Sequence, residues 1–305
     1  MHIRIGTRKS PLAIFQAETI ADFIRQKDNS AIVTLVGIDS QGDVDQASSL
    51  GQIGGQGVFV NAIRKALINK EIDLAVHSAK DMPPVDPDGL VVGAYPTRAD
   101  VRDVLVGKKL SQLDNTSIVR TGSARRKLQI IKLVKGITFE DLRGNIATRL
   151  NKIPENGSVI VAKAALDRLK LTVDSLEILD IDTMLPQIGQ GAIAVEVLKN
   201  NEELKALLDK IDDKNVRAEL TVEREFLKTL GSGCSSPVGG LARFKAGSES
   251  GSTSASLTFT GMIGNLEKEE LIKQTFETNL SEDLTEFGRN CGTIMLAKAS
   301  EVGIL

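Results

Sequence analysis

Over roughly its first 190 residues the chain alternates strand-like and helix-like stretches, and no other feature constrains its fold so strongly. HIRIGT reads as a strand and SPLAIFQAETIADFIRQK as a helix. Ser10 is placed to cap that helix, and Pro11 suits its first turn, where a missing N–H costs nothing. Leu12, Phe15, Ile20, Phe23 and Ile24 fall on one broad face at helical spacing. AIVTLVGI, IDLAVHSA and GLVVGAYPT are further strands, with the helix VFVNAIRKALINKE between the first two. After Arg98 the pattern restarts: DVLVG, TSIVRTG, the helix SARRKLQIIKLVKG, GITFEDLR, the helix NIATRLNKI and GSVIVAKAAL. This alternation predicts mostly parallel α/β architecture, in two similar lobes with a cleft between them. Such folds bind ligands beyond the carboxyl ends of their strands.

The last third changes character. KNVRAELTVEREFLKTLG is a helix, followed by the loop LGSGCSSPVGG. VGGLARFKAGSES, SASLTFTGMIG and EELIKQTFET read as an antiparallel meander, with SESGSTSAS a polar hairpin tip, and SEDLTEFGRNCGTIMLAKAS as a closing helix. Leu284, Phe287, Cys291 and Met295 share one stripe of it, so Cys291 is expected in the core. The expected domains are 1–96 with 189–215 as the first α/β lobe, 97–188 as the second, and 216–305 as a small C-terminal α+β domain. No convincing internal sequence repeat is present.

Composition excludes several function classes. A net charge of −2, no Trp and one Tyr leave neither the basic excess nor the stacking platforms of a nucleic-acid binder. No apolar run approaches the roughly 20 residues of a membrane span. MHIRIGTRKS lacks the apolar stretch of a secretory leader, so a cytoplasmic location is expected. Cys234 and Cys291 are expected as free thiols. With no CxxC and only His2 and His77, no metal site is expected.

Three helix starts carry arginines. Arg125 and Arg126 lie in the first turn after Ser123, where cations oppose the helix dipole and an anion would reverse the penalty. Arg143 precedes a helix start, with Arg149 four residues after Asn145. Arg8 and Lys9 precede the helix capped by Ser10. Any one of these is an ordinary surface charge, but their shared context points to a cleft for an anion bearing several carboxylates or phosphates. Phosphate is the weaker choice, because no GxxxxGK[ST] loop is present and GGQG (Gly54–Gly57) lacks the lysine. Asp81 follows a strand in HSAKDMPP, and Pro83 and Pro84 stiffen its exit. It reads either as a turn residue or as a fixed carboxylate that stabilises a developing cation or moves a proton. His77 reads as packed against the sheet.

In order, GTRKSPLA, AVHSAKDMP, TGSARRKLQ, LRGNIATRL, IGQGAI and GSGCSSPVGG resemble the hydroxymethylbilane synthase, or porphobilinogen deaminase, family over nearly the whole chain. The resemblance implies two lobes like those of type II periplasmic binding proteins, plus a third domain. It also implies the stepwise joining of four porphobilinogen molecules into the linear tetrapyrrole hydroxymethylbilane, with loss of ammonia at each step. The implied cofactor is a dipyrromethane bound as a thioether to Cys234. Asp81 is then the catalytic carboxylate, facing the positive charge that develops on pyrrole nitrogen. Arg125 and Arg126 match positions that hold cofactor carboxylates, with Ser78, Lys80, Thr121 and Ser123 as supporting groups. Arg8, Ser10, Arg143, Arg149 and Gln190 match positions serving the incoming substrate or the growing chain. A monomer is implied, with no membrane or nucleic-acid partner.

The chain departs from the family pattern in places. Gln41, Gln52 and Gln56 stand where lysines are usual, Val101 stands in place of the proline of DPRD, and Arg120 replaces a glycine. Arg120 is expected to point to solvent. The competing reading is a non-catalytic two-lobed polycarboxylate-binding protein or sensor, since fold does not fix function. Neither histidine stands in an evident dyad with cysteine, which argues against a cysteine hydrolase.

Overall fold

The computed structural model describes residues 1–39, 58–231, 237–245 and 255–305. Strand β1 (His2–Arg8) leads into helix α1 (Pro11–Lys27) and β2 (Ile32–Ile38). Helix α2 (Val58–Ile68), β3 (Leu74–Ser78) and β4 (Leu90–Ala94) follow. Ser10 Oγ accepts from the Ala13 N–H at 3.4 Å, and Pro11 opens α1, as the capping chemistry predicts. Ile20, Ala21 and Ile24 of α1 pack with Ile3, Ile5 and Leu74 in one fully buried cluster.

The second run comprises β5 (Asp103–Gly107), β6 (Ile118–Arg120), α3 (Ala124–Leu133), β7 (Thr138–Glu140), α4 (Ile146–Leu150), β8 (Gly157–Ala162), α5 (Lys163–Arg168) and β9 (Leu176–Ile178). Strand β10 (Ile193–Leu198), α6 (Glu202–Asp209) and α7 (Lys214–Leu230) come next. The chain closes with β11 (Val238–Phe244), β12 (Ser256–Asn265), β13 (Glu270–Asn279) and α8 (Leu284–Glu301).

The chain divides into two compact units. One comprises Met1–Asp100, Ala164–Leu171 and Gly191–Arg217, and the other Val101–Lys163, Thr172–Gln190 and Ala218–Leu305. The sheet of the first has the order β2-β1-β3-β10-β4, and the α/β sheet of the second has β7-β6-β8-β5-β9. These share one arrangement: β1 and β6 each lie parallel between two strands that follow them, and an antiparallel strand, β10 in the first sheet and β5 in the second, lies between the third strand and an edge. The fold class is thus the expected α/β, with a C-terminal α+β part. The expectation of mostly parallel pairing needs correction, because β10 and β5 each make two antiparallel pairings. Both are buried on both faces, and such strands show an unbroken apolar run instead of alternation.

The C-terminal meander is antiparallel in the order β11-β12-β13, as expected. Phe226 of α7 and Phe259 of β12 meet with ring centroids 4.8 Å apart, and Cys291 and Met295 of α8 are buried in the same cluster. Most of the expected hairpin tip, its residues 248–254, lies outside the described residues.

Candidate active site

In the first unit, β1 ends at Arg8 and β3 at Ser78, and the two strands run parallel, so their carboxyl ends lie on one edge. A cavity of about 60 Å³ opens there, lined by Arg8, Ser10, Gln16, Ser78 and Asp81 and walled by the apolar Leu12, Val60 and Val76. Asp81 completes a single 3-10 turn, Ala79–Asp81, that the Met82 N–H closes on the Ala79 carbonyl at 3.2 Å. Met82 is fully buried, which pins the turn to the core ahead of Pro83 and Pro84. The Asp81 carboxylate has no hydrogen-bond or ion-pair partner among the described residues. Lys80 precedes it in the same turn.

Gln16 is a site residue that the sequence reading missed. It is 2% exposed, donates through Nε2 to Ser78 Oγ at 2.8 Å, and accepts from that hydroxyl at 3.1 Å. The available signal was its place between Leu12 and Ile20 at four-residue spacing, a polar residue within an apolar stripe.

Behind the cavity, Glu196 of β10 is fully buried and holds Arg64 of α2 through Oε1 at 2.6 Å. His77, which also lines the cavity, sets Nε2 3.1 Å from Glu196 Oε2. Burial pushes the Glu196 carboxyl up, but His77 and Arg64 outweigh it and bring it down to about 2. His77 is packed against the sheet, as its sequence context suggests.

In the second unit, α3 follows the carboxyl end of β6, and Ser123 caps it by backbone conformation alone. Arg125 and Arg126, expected as accessible anion hooks, are buried on a carboxylate. Asp103, the first residue of β5, accepts from Arg125 Nη2 at Oδ2 and from Arg126 Nη2 at Oδ1, each at 2.7 Å. Arg125 Nη1 donates to the Leu185 carbonyl at 2.6 Å and Arg126 Nη1 to the Ile160 carbonyl at 3.0 Å. Gln190, also fully buried, donates through Nε2 to Asp103 Oδ1 at 2.9 Å and to the Val101 carbonyl at 2.8 Å. Burial acts to raise the Asp103 carboxyl, but the two guanidinium groups hold it far below the usual range. The Nε atoms of both arginines are buried without an acceptor among the described residues.

Thr121 is buried, and its hydroxyl accepts from the Ser123 N–H at 3.2 Å. Arg143 precedes the short helix α4 and Arg149 lies in its last turn; Asn145 caps the helix through the Thr148 N–H. Arg149 Nε donates to the Gly144 carbonyl at 2.8 Å. Arg120 does not point to solvent. It is the register partner of Glu140, binds that carboxylate at 2.7 Å and donates to the Lys152 carbonyl at 2.6 Å.

Arg168, at the end of α5 in the first unit, was also missed, because a last-turn arginine reads as ordinary. It is largely buried and donates to the Gly191 carbonyl at 2.7 Å. Burial brings it down to about 10, and no carboxylate pairs with it among the described residues. A buried charge of this kind is uncompensated without an anion.

Cys234 lies outside the described residues, as do Gln41, Gln52, Gln56 and the Gly54–Gly57 run. Strand β11, which follows the cysteine segment, passes close to Arg125: a Cβ at Gly239 would meet the Pro186 carbonyl at 3.1 Å and Arg125 Cδ at 3.3 Å. No cluster of three metal-ligating side chains occurs among the described residues. None of their helices is long and apolar enough to cross a membrane.

Two family descriptions match the chain: "Porphobilinogen deaminase, dipyromethane cofactor binding domain" over residues 3–206, and "Porphobilinogen deaminase, C-terminal domain" over residues 217–297. The porphobilinogen deaminase of Brevibacillus brevis is 39% identical over 277 residues, covering 89% of this chain and 87% of its own. That of Bacillus subtilis is 34% identical over 305 residues, covering 98% and 94%. Porphobilinogen deaminase 1 of Streptomyces coelicolor is 40% identical over 280 residues, covering 89% and 86%. Among solved structures, the methionine binding protein MetQ is similar over 69% of this chain and 88% of its own, at 13% identity and a TM-score of 0.41.

Proposed function

The chain belongs to the porphobilinogen deaminase family, and on that premise we infer that it works as a hydroxymethylbilane synthase, a transferase of porphyrin and heme biosynthesis. Its substrate is porphobilinogen, four molecules of which are joined head to tail with release of ammonia. The observation that carries the site assignment is the Asp81 turn, a carboxylate with no partner among the described residues, in a cavity beside Arg8, Ser10 and Ser78.

The family's dipyrromethane bears an acetate and a propionate on each ring, so its holder must supply cationic donors. Arg125 and Arg126 fit that demand. Together with Asp103 they leave one positive charge in excess, and their two buried Nε–H groups lack acceptors among the described residues. We assign them to the cofactor, with Ser78, Lys80, Thr121 and Ser123 in support and the Cys234 thiol as its anchor. When bound, the group supplies a fixed primer on which the tetrapyrrole grows.

Each condensation breaks the carbon–nitrogen bond of porphobilinogen, releases ammonia and forms a carbon–carbon bond to a pyrrole. Positive charge develops on pyrrole nitrogen along the way. Asp81 is assigned to stabilise that charge from its rigid turn and to take up the proton lost as the ring regains aromaticity. Gln16 holds the Ser78 hydroxyl in place beside it. Arg8, Ser10, Arg143 and Arg149 are assigned to the carboxylates of the incoming substrate. Gln190 serves the same reaction through Asp103. A cytoplasmic monomer completes the reading.

The test is the denatured intact mass of the protein after incubation with porphobilinogen, with Cys234→Ser as control. Attachment joins the Cys234 sulfur to the substrate methylene while ammonia leaves, so the expected gain is two porphobilinogen units less two ammonia, absent in the control. Ammonia release without any Cys234-dependent adduct would overturn the anchor. A polycarboxylate-binding protein would give neither.

A further inference from the structure

Asp103 occupies an unusual position for a carboxylate. It is fully buried at the start of β5, and three donors from two segments converge on it: Arg125, Arg126 and Gln190. Each guanidinium is gripped twice, by Asp103 through Nη2 and by a main-chain carbonyl through Nη1. Two grips fix the plane of a guanidinium fork. The like charges of Arg125 and Arg126 would otherwise repel in a buried setting. One carboxylate is enough to hold the pair together but not enough to neutralise it. What remains is a net positive charge, two immobilised forks and two Nε–H groups with no acceptor among the described residues.

We propose that Asp103 is a positioning residue for cofactor attachment: by clamping Arg125, Arg126 and Gln190 it presets the two guanidinium groups to receive a carboxylate of the dipyrromethane. The proposal rests on the assignment of that cofactor above. Asp103 touches no reacting atom and acts through the two arginines. Removing its charge has two opposed effects. The pair becomes more cationic, which favours any anion, and it loses its fixed geometry, which disfavours a ligand that must also form a covalent bond. Geometry prevails for a covalent attachment, because misplacement by about 1 Å costs on the order of a hundredfold in rate. The extra charge is instead met by whatever small anion is present.

The experiment uses apoprotein from cells that make no porphobilinogen. Loading is followed as the rate of appearance of the adduct mass when porphobilinogen is added. Asp103→Asn should load about tenfold to a hundredfold more slowly than the unaltered protein. Asp103→Ala should load as slowly, and acetate should restore part of its rate in a saturable manner by entering the vacated space. Acetate should not accelerate the unaltered protein or Asp103→Asn. Thermal melts taken alongside separate folding losses from loading losses, since a purely structural role would not yield acetate-dependent loading at constant melting temperature. Arg-selective 15N spectra of the unaltered protein give a readout without substitution: the Arg125 and Arg126 Nε–H signals should shift on loading. Loading of Asp103→Asn at the unaltered rate, absence of acetate rescue in a folded Asp103→Ala, or unshifted Nε–H signals would each overturn the proposal while leaving the cofactor assignment standing. No adduct on the unaltered protein would overturn both.

Discussion

Asp81 is a carboxylate held in a rigid turn with no ion-pair partner among the described residues, a combination that favours a cation formed beside it over any neutral ground state. The isosteric Asp81→Asn keeps the turn and removes the charge. Its turnover should fall about a hundredfold or more while cofactor loading and melting temperature hold. Product formation near the unaltered rate would remove the electrostatic role. Cys291 is the opposite kind of residue. Burial pushes its thiol up to about 12, so at neutral pH it is not a nucleophile. Iodoacetamide should leave Cys291 unmodified in the folded protein and label it only after denaturation, as peptide mapping would read. Residues whose role depends on near neighbours were legible in the sequence: Asp81 from its two prolines, Ser10 from the helix it starts, Cys291 from its stripe. Asp103 and Glu196 were not, because their partners lie 22 and 132 positions away along the chain.

Elements with their own punctuation were legible for the same reason. Helices α1, α7 and α8 run close to where their sequence patterns place them, because an amphipathic stripe carries the signal over several turns. Strand β10 went unread except for the motif IGQGAI before it. The structure gives that motif a backbone reason. Gly191 has φ +83°, and a Cβ there would lie 2.5 Å from the Ala99 carbonyl oxygen. Its own carbonyl accepts from the Ala99 N–H at 3.1 Å and from Arg168 at 2.7 Å. Gly191→Ala therefore combines an unfavourable conformation with a backbone clash, and should cost about 1–3 kcal/mol. The urea midpoint should drop accordingly. An unchanged midpoint would show that the segment relaxes without loss.

At the scale of the whole molecule, one arrangement of strands is used twice without a sequence repeat, and in each use the antiparallel strand carries a fully buried carboxylate. Glu196 sits on β10 between Arg64 and His77, and Asp103 on β5 between Arg125 and Arg126. Both are depressed, burial being outweighed by cationic neighbours, so both act on acid stability in the same direction. An unfolded glutamate titrates near 4.5, whereas folded Glu196 stays ionised down to about 2. Below pH 4.5 the unfolded chain takes up a proton that the folded chain refuses, so the stabilisation present at neutral pH drains away as pH falls toward 2. For Glu196 alone this is on the order of 3 kcal/mol. Glu196→Gln should be less stable at pH 7, where it leaves Arg64 buried without its main counter-charge. It should also lose less stability on acidification than the unaltered protein. Urea unfolding of both proteins at pH 7, 5, 4 and 3 would therefore show two curves converging toward acid. A gap that stays constant or widens would mean that Glu196 shapes the fold through packing alone.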